Sequence, residues 1–337
     1  MRRPRMLGQS FTYYHIISRV NHGEYLLDDG EKERLVGFFR DAEVLGCGQI
    51  VTYSILDNHW HCLLSIDHNA KVPEELVVKR VRARYGDFRA DEFAQQVAMV
   101  RELNGEVAAQ KVLDHYRHRM NNLAEFAKDA LQRFTMSYNR RHGSFGSFWS
   151  GRYKSSIVEG KSVHDTKALA TVAAYIDLNA VRAGIVTDPG AYRFCGYGAA
   201  MGGDKHALAA LGPVLDMLTQ GDGAELSAYR TYIFRQGFDH AVSGSRSDAF
   251  SKLAHKVLKR EGKINSAELI FCKVRYFSDG LAIGSRNFIE DLFQKNRNLF
   301  SEKRKSGART IKNADSGGLC CMRDLRLTPI SPSGCVI

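Results

Sequence analysis

The chain has no run of about 18 apolar residues, so no segment is suited to span a bilayer. Its start, Met1-Arg2-Arg3-Pro4-Arg5, is charged and lacks the apolar stretch of a secretion signal. No C-x-x-C pair occurs among the seven cysteines, Cys47, Cys62, Cys195, Cys272, Cys320, Cys321 and Cys335, and their number is odd. A disulfide framework and a structural zinc site are both disfavoured, and the expected compartment is reducing. Tandem repeats and low-complexity segments are missing too. What is present is apolar material for a core, 44% of 337 residues. That argues against global disorder, and the length predicts two domains or one domain with large additions. Basic residues outnumber acidic ones by 48 to 37, a formal charge of +11. Such a surplus points to a polyanion, nucleic acid or an acidic membrane surface, and nucleic acid is the expected partner.

Residues 11–20, FTYYHIISRV, are β-branched and aromatic and predict a first strand. Asp28 and Asp29 can cap a following helix, in which Leu35, Phe38, Phe39, Ala42 and Leu45 fall at helical spacing. Residues 49–56 and 59–66 read as a hairpin turning at Asp57-Asn58. From about 68 to 120 the chain is polar and helix-favouring, which predicts a helical insertion carrying Lys79, Arg80, Arg82 and Arg84. A helix over 121–141 follows, then a strand over 152–158. Ser162 and Asp165 form a weak capping box for a helix over roughly 163–183, with Gly184 as its stop. The division expected is a first domain over 1–200, a mainly helical region over 203–326 and a disordered tail over 327–337.

Two short patterns can carry chemistry. In His59-Trp60-His61, period-two geometry projects both imidazoles from one face of a strand and Trp60 from the other. Two neutral imidazoles on one face can hold a divalent metal, although H-x-H alone also occurs incidentally. In Tyr175-Ile176-Asp177-Leu178-Asn179, Tyr175 and Asn179 are one helical turn apart. Leu169, Val172, Ile176 and Ala180 form the core-facing stripe, with Tyr175 at its border. A tyrosine in that position is either a packing residue or a hydroxyl reaching a site.

Taken in order, Asn58-His59-Trp60-His61, Asn139-Arg140-Arg141-His142-Gly143, Gly151-Arg152-Tyr153-Lys154-Ser155 and the run from Tyr175 to Gly184 resemble the REP-associated tyrosine transposases of the HUH single-strand transposase superfamily. The resemblance covers residues 1–67 and about 121–200. It implies an α+β fold, a ferredoxin-like antiparallel sheet with packed helices. It implies that His59, His61 and Asn179 ligate Mg²⁺ or Mn²⁺ and that Tyr175 is the nucleophile. The implied activity is cleavage and rejoining of single-stranded, hairpin-forming DNA through a 5′-phosphotyrosine, by a monomer or homodimer in the cytoplasm, associated with the nucleoid. The chain departs from the family at Trp60, where the residue is usually small and aliphatic. It departs also at Asp57 and Ala180, where the family has proline. The alternatives are a DNA-binding protein without catalysis and a hydrolytic phosphodiesterase.

The segment 139–154 interleaves Arg140, Arg141, Arg152 and Lys154 with Phe145, Phe148, Trp149 and Tyr153. Cations neutralise phosphates and exposed rings stack on unpaired bases, so the four cations are candidate DNA contacts. A core aromatic cluster with a solvated basic rim is the other reading, and Phe148 and Trp149 are expected in the core. Arg2, Arg3 and Arg5 are a candidate DNA arm. Ala267–Phe277 and Ser285–Phe293 read as a helix pair, either a helix-turn-helix or a helical support, followed by a basic stretch over 295–312.

Overall fold

In the computed structural model, which describes residues 6–8, 10–161, 166–219, 226–237, 277, 280–310 and 317–322, the first strand is Phe11–Arg19 (β1). Asp28 then accepts a hydrogen bond from the Glu31 amide at 2.8 Å and starts helix Asp29–Leu45 (α1). The hairpin follows as Gly48–Ile55 (β2) and His59–Asp67 (β3). After an insertion, Asn122 caps helix Leu123–His142, which ends at Gly143 with φ 58°, and Lys154–Val158 (β4) closes the unit. The four strands lie in the order β2-β3-β1-β4, every neighbouring pair antiparallel. This is the α+β, ferredoxin-like arrangement that the resemblance implies.

The insertion is three helices, Glu74–Tyr85 (α2), Asp87–Asn104 (α3) and Glu106–Met120 (α4), and Leu123–His142 is therefore α5. Val77, Val81, Phe93, Val97 and Leu113 give the insertion a small core of its own. Three of the four cations named from its sequence, Arg80, Arg82 and Arg84, are engaged within the fold. Arg82 bridges Asp87 and Asp91, Arg80 donates to the Leu45 and Gly46 carbonyls, and Arg84 faces Asp41 and Asp129.

Alternation along β3 divides the sheet into two faces. Trp60 is fully buried on the face covered by α1 and α5, 5.0 Å from the Phe39 ring and 6.3 Å from that of Trp149. The bulky residue between the two histidines thus serves as the aromatic centre of the core. Phe148 and Trp149 are in that core as expected.

The other face carries His59 and His61 and is covered by helix Ala168–Asp177 (α6) and the short turn Asn179–Arg182 (α7). The sequence predicts one continuous helix here, but the helix breaks at Leu178, with φ −76° and ψ 1°. Two interactions favour the break. The Asp177 carboxylate is anchored from three sides, and the Arg182 guanidinium donates to the Tyr175 carbonyl at 2.6 Å. Gly184 ends the segment at φ 72°, a left-handed conformation in which it serves as the predicted stop. Ser162 and Asp165 lie outside the described residues.

The described part of the C-terminal region is mainly helical, with helices Lys205–Ala210, Gly212–Thr219, Leu226–Gly237 and Arg286–Lys295, and it adds short strands that the sequence does not predict. Ala282–Gly284 (β5) pairs parallel with β4, and Arg309–Thr310 (β6) and Cys320–Cys321 (β7) extend the ladder in the order β4-β5-β7-β6. Strands of two or three residues are too short to leave an alternating pattern in the sequence. Ser285 caps helix Arg286–Lys295 as predicted, its Oγ accepting from the Phe288 amide at 3.2 Å. Except for Phe277, the predicted helix Ala267–Phe277 lies outside the described residues, as do Arg2, Arg3, Arg5 and the tail over 327–337. No helix among the described residues is long and apolar enough to cross a membrane.

Candidate active site

His59 and His61 are both buried, on one face of β3, with ring centroids 5.3 Å apart. Each has its Nδ1 committed within the fold. His59 Nδ1 lies 2.7 Å from Asn58 Oδ1. An amide oxygen only accepts, so His59 carries its hydrogen on Nδ1 and its lone pair on Nε2. Asn179 Nδ2 approaches that Nε2 at 3.2 Å, while Asn179 Oδ1 accepts from Arg182 at 3.2 Å. His61 Nδ1 lies 2.9 Å from His15 Nε2.

Tyr175 projects from α6 onto the same group. Its ring centroid is 5.8 Å from that of His61 and 6.0 Å from that of His15. The Arg182 guanidinium carbon stands 4.1 Å from the centre of the phenol ring, a cation–π contact. The Phe277 ring lies against it at 4.8 Å. Tyr175 is only 1% exposed, not at the border of a stripe as the helical spacing predicts. The reason is that α6 is covered on both sides, by the sheet and by residues of the C-terminal region.

Four residues chosen from sequence, His59, His61, Tyr175 and Asn179, therefore meet in one place, from segments more than a hundred residues apart. Three others in the site were missed. Arg182 stands in the same run as Tyr175 and Asn179, but its contacts depend on the break at Leu178. His15 and Ser54 belong to neighbouring strands: His15 packs on His61, and Ser54 is its register partner on β2. Alternation along β1 would have flagged His15 only once the strand order was known.

Burial drives the His15 pKa down to about 3, helped by the Arg182 charge and opposed by the Phe277 main chain, so its ring is neutral under ordinary conditions. Asp177, also fully buried, is pushed up to about 6 by desolvation. Hydrogen bonds from Tyr229 (2.7 Å), Thr52 (2.7 Å) and the Tyr197 amide (3.2 Å) work in the other direction.

Two imidazoles and an amide are side chains that can ligate Mg²⁺ or Mn²⁺, and ligation by Asn179 Oδ1 and His59 Nε2 would replace the bonds that Arg182 and Asn179 Nδ2 make to them. The His59 Nε2 lone pair faces the Asn179 amide nitrogen, and His61 stands next to it. Ser54 Oγ, opposite His61, is buried without a hydrogen-bond partner among the described residues, a polar group with capacity for a further ligand or water. No group of three or more His, Cys, Asp or Glu side chains among the described residues is arranged to hold a metal, and the set here is instead two histidines and an amide.

The four candidate DNA contacts are all exposed. Arg140 and Arg141 end α5, and Arg141 also pairs with the buried Glu31 at 2.5 Å. Arg152 lies in the loop before β4. Lys154 is in register with Ile17, which pairs with His61, so it shares the face of the site roughly 10 Å away across two strand spacings. Arg19, the register partner of His59, is a further cation on that face which the sequence reading missed. Phe145 is 97% exposed beside Arg140 and Arg141, whereas Phe148 and Trp149 are buried.

No protein-family model and no curated protein matches the chain. Among solved structures, the chain is similar to a REP-associated tyrosine transposase bound to a REP hairpin, at 14% identity over 60% of this chain and 87% of that one, with a TM-score of 0.38.

Proposed function

We propose that the chain is a metal-dependent tyrosine transposase, a single-strand DNA endonuclease and strand transferase acting on hairpin-forming DNA. The observation that carries this reading is the convergence of Tyr175 with His59, His61 and Asn179 on one face of the sheet. A core packed for stability alone has no use for three buried imidazoles, an amide, a guanidinium and a phenol in contact. The ordered motifs that resemble the REP-associated transposases support the same assignment.

His59, His61 and Asn179 would hold Mg²⁺ or Mn²⁺, which when bound supplies Lewis-acid polarisation of the scissile phosphate. Tyr175 Oη attacks phosphorus in line. The P–O3′ bond breaks as the P–Oη bond forms, the phenol gives up its proton to solvent, and the departing 3′ oxygen takes one up. The product is a 5′-phosphotyrosine and a free 3′-OH. Attack by a 3′-OH reverses the step, and no ATP is needed because the phosphodiester energy is conserved in the covalent bond. Arg182 has two tasks. It pins the Tyr175 carbonyl, and its charge over the ring favours negative charge developing on the phenol oxygen. Arg140, Arg141, Arg152, Lys154 and Arg19 would meet phosphates, and Phe145 an unpaired base.

One observation favours the second reading, a DNA-binding protein without catalysis: Tyr175 is buried beneath Phe277. One experiment separates them. The protein is incubated with a labelled single-stranded hairpin and Mn²⁺ and run on a denaturing gel. A metal-dependent covalent adduct is expected. Hairpin retention on a native gel with neither adduct nor cleavage would leave the binding protein, and cleavage without adduct would indicate a hydrolase.

A further inference from the structure

His15 is neither a proposed ligand nor the nucleophile, yet it is buried on β1 against His61. Its Nε2 lies 2.9 Å from His61 Nδ1, and the rings stack with centroids 5.1 Å apart and planes 24° apart. A hydrogen bond between two neutral imidazoles has one donor and one acceptor. Its direction decides the chemistry of His61. If His61 donates from Nδ1, its Nε2 carries the lone pair a metal requires. If His15 donates, His61 Nε2 carries a hydrogen and cannot be a ligand.

The adjacent histidine shows how the fold treats this choice. Asn58 Oδ1 accepts from His59 Nδ1 and leaves the lone pair on the Nε2 that faces Asn179. His15 occupies the equivalent position behind His61. We propose that His15 is a positioning residue that accepts from His61 Nδ1–H, fixing the tautomer and ring orientation in which His61 Nε2 serves as a ligand. The hydrogen of His15 itself then sits on Nδ1. Among the described residues that nitrogen has no hydrogen-bond partner of normal geometry, and the Phe277 main chain gives the ring a weaker polar contact. An imidazole acceptor is more basic than a carbonyl, and outer partners of this kind raise the donor strength of a ligating histidine.

The inference rests on the reading of His59 and His61 as ligands, and its test separates the two. The first measurement uses the full-length, metal-free, ¹⁵N-labelled protein. Long-range imidazole ¹H–¹⁵N spectra, with His61 assigned by its loss in His61→Gln, should show a protonated Nδ1 and an unprotonated Nε2. A protonated His61 Nε2 in the wild type overturns the proposal. The second is Mn²⁺ titration followed by electron paramagnetic resonance. His15→Leu, which removes the acceptor, should weaken Mn²⁺ binding about 10- to 100-fold, while His15→Gln, which retains one, should stay much closer to wild type. Equal losses in both variants, or unchanged affinity in His15→Leu, would show mere packing and overturn the role. If His15→Leu fails to fold, the wild-type tautomer still decides. Absence of Mn²⁺ binding by the wild type overturns the ligand reading and this inference with it. Normal binding with an indifferent His15→Leu overturns this inference alone.

Discussion

At the scale of single residues, the proposal assigns one oxygen the covalent step. Tyr175→Phe keeps the ring that packs between His61, Arg182 and Phe277 and deletes only the hydroxyl. The expected outcome is complete loss of the covalent adduct with hairpin affinity changed less than about twofold, checked on denaturing and native gels. An adduct that survives would move the nucleophile elsewhere. Asn179→Ala should raise the metal concentration needed for half-maximal cleavage by about tenfold or more, with Mn²⁺ restoring part of the rate. An unchanged metal midpoint would leave Asn179 as a hydrogen-bonding partner of His59 and Arg182 and not a ligand. Each pair obeys a local period, two along a strand and four along a helix, which puts its members on one face, but it is the resemblance to the REP-associated transposases that joins the two pairs into one expected site. His15 and Ser54 obey no such rule, and Arg182, although at helical spacing from Tyr175 and Asn179, makes its contacts only through the break at Leu178. His15 and Ser54 reach the site through strand order and cross-strand register, neither of which is encoded at fixed spacing.

At the scale of elements, α6 is the piece that must be held most accurately, and Asp177 is its anchor. One carboxylate joins α6 to Thr52 of β2, to the Tyr197 amide at the start of helix Gly196–Met201, and to Tyr229 of helix Leu226–Gly237. A lone Asp inside a helical pattern gives no hint of this, which is one reason the break beside it was not foreseen. The folded-state pKa of about 6 exceeds the unfolded value, so the folded state binds the proton more tightly. The resulting stabilisation is fully present below the unfolded value of 3.8 and is lost as pH rises through about 6. Asp177→Asn cannot titrate. The stability advantage of wild type over Asp177→Asn should therefore shrink by roughly 2 to 3 kcal/mol between pH 4 and pH 7, read from chemical denaturation of both proteins at each pH. A constant difference across that range would mean that Asp177 ionises normally in the folded protein.

At the scale of the whole molecule, the question is which additions to the four-stranded core the chemistry needs. The C-terminal region is joined to the site: β5 extends the ladder from β4, and Phe277 covers Tyr175. The α2–α4 insertion is different. Its helices were legible from composition and polarity, and its core is separate from the one beneath the sheet. Its two ends meet at the base, where Asn121 Nδ2 donates to the Ala70 carbonyl at 2.9 Å and His68 Nδ1 lies 2.9 Å from the Asn121 carbonyl. Chain ends that already touch can be joined by a short flexible loop at little entropic cost. Replacing residues 73–119 by such a loop should thus leave a folded protein that still forms the metal-dependent adduct. Stability should fall, because Leu45 loses its apolar cover and Asp129 its Arg84 and Arg119 partners. Exposing one buried leucine costs about 2 kcal/mol, and a half-buried carboxylate left with Arg133 alone adds to that. Circular dichroism melting should show one cooperative transition at lower temperature, and the hairpin gel should show the adduct. A variant that melts cooperatively but forms no adduct would place a necessary part of the DNA-processing machinery on the helices of the insertion.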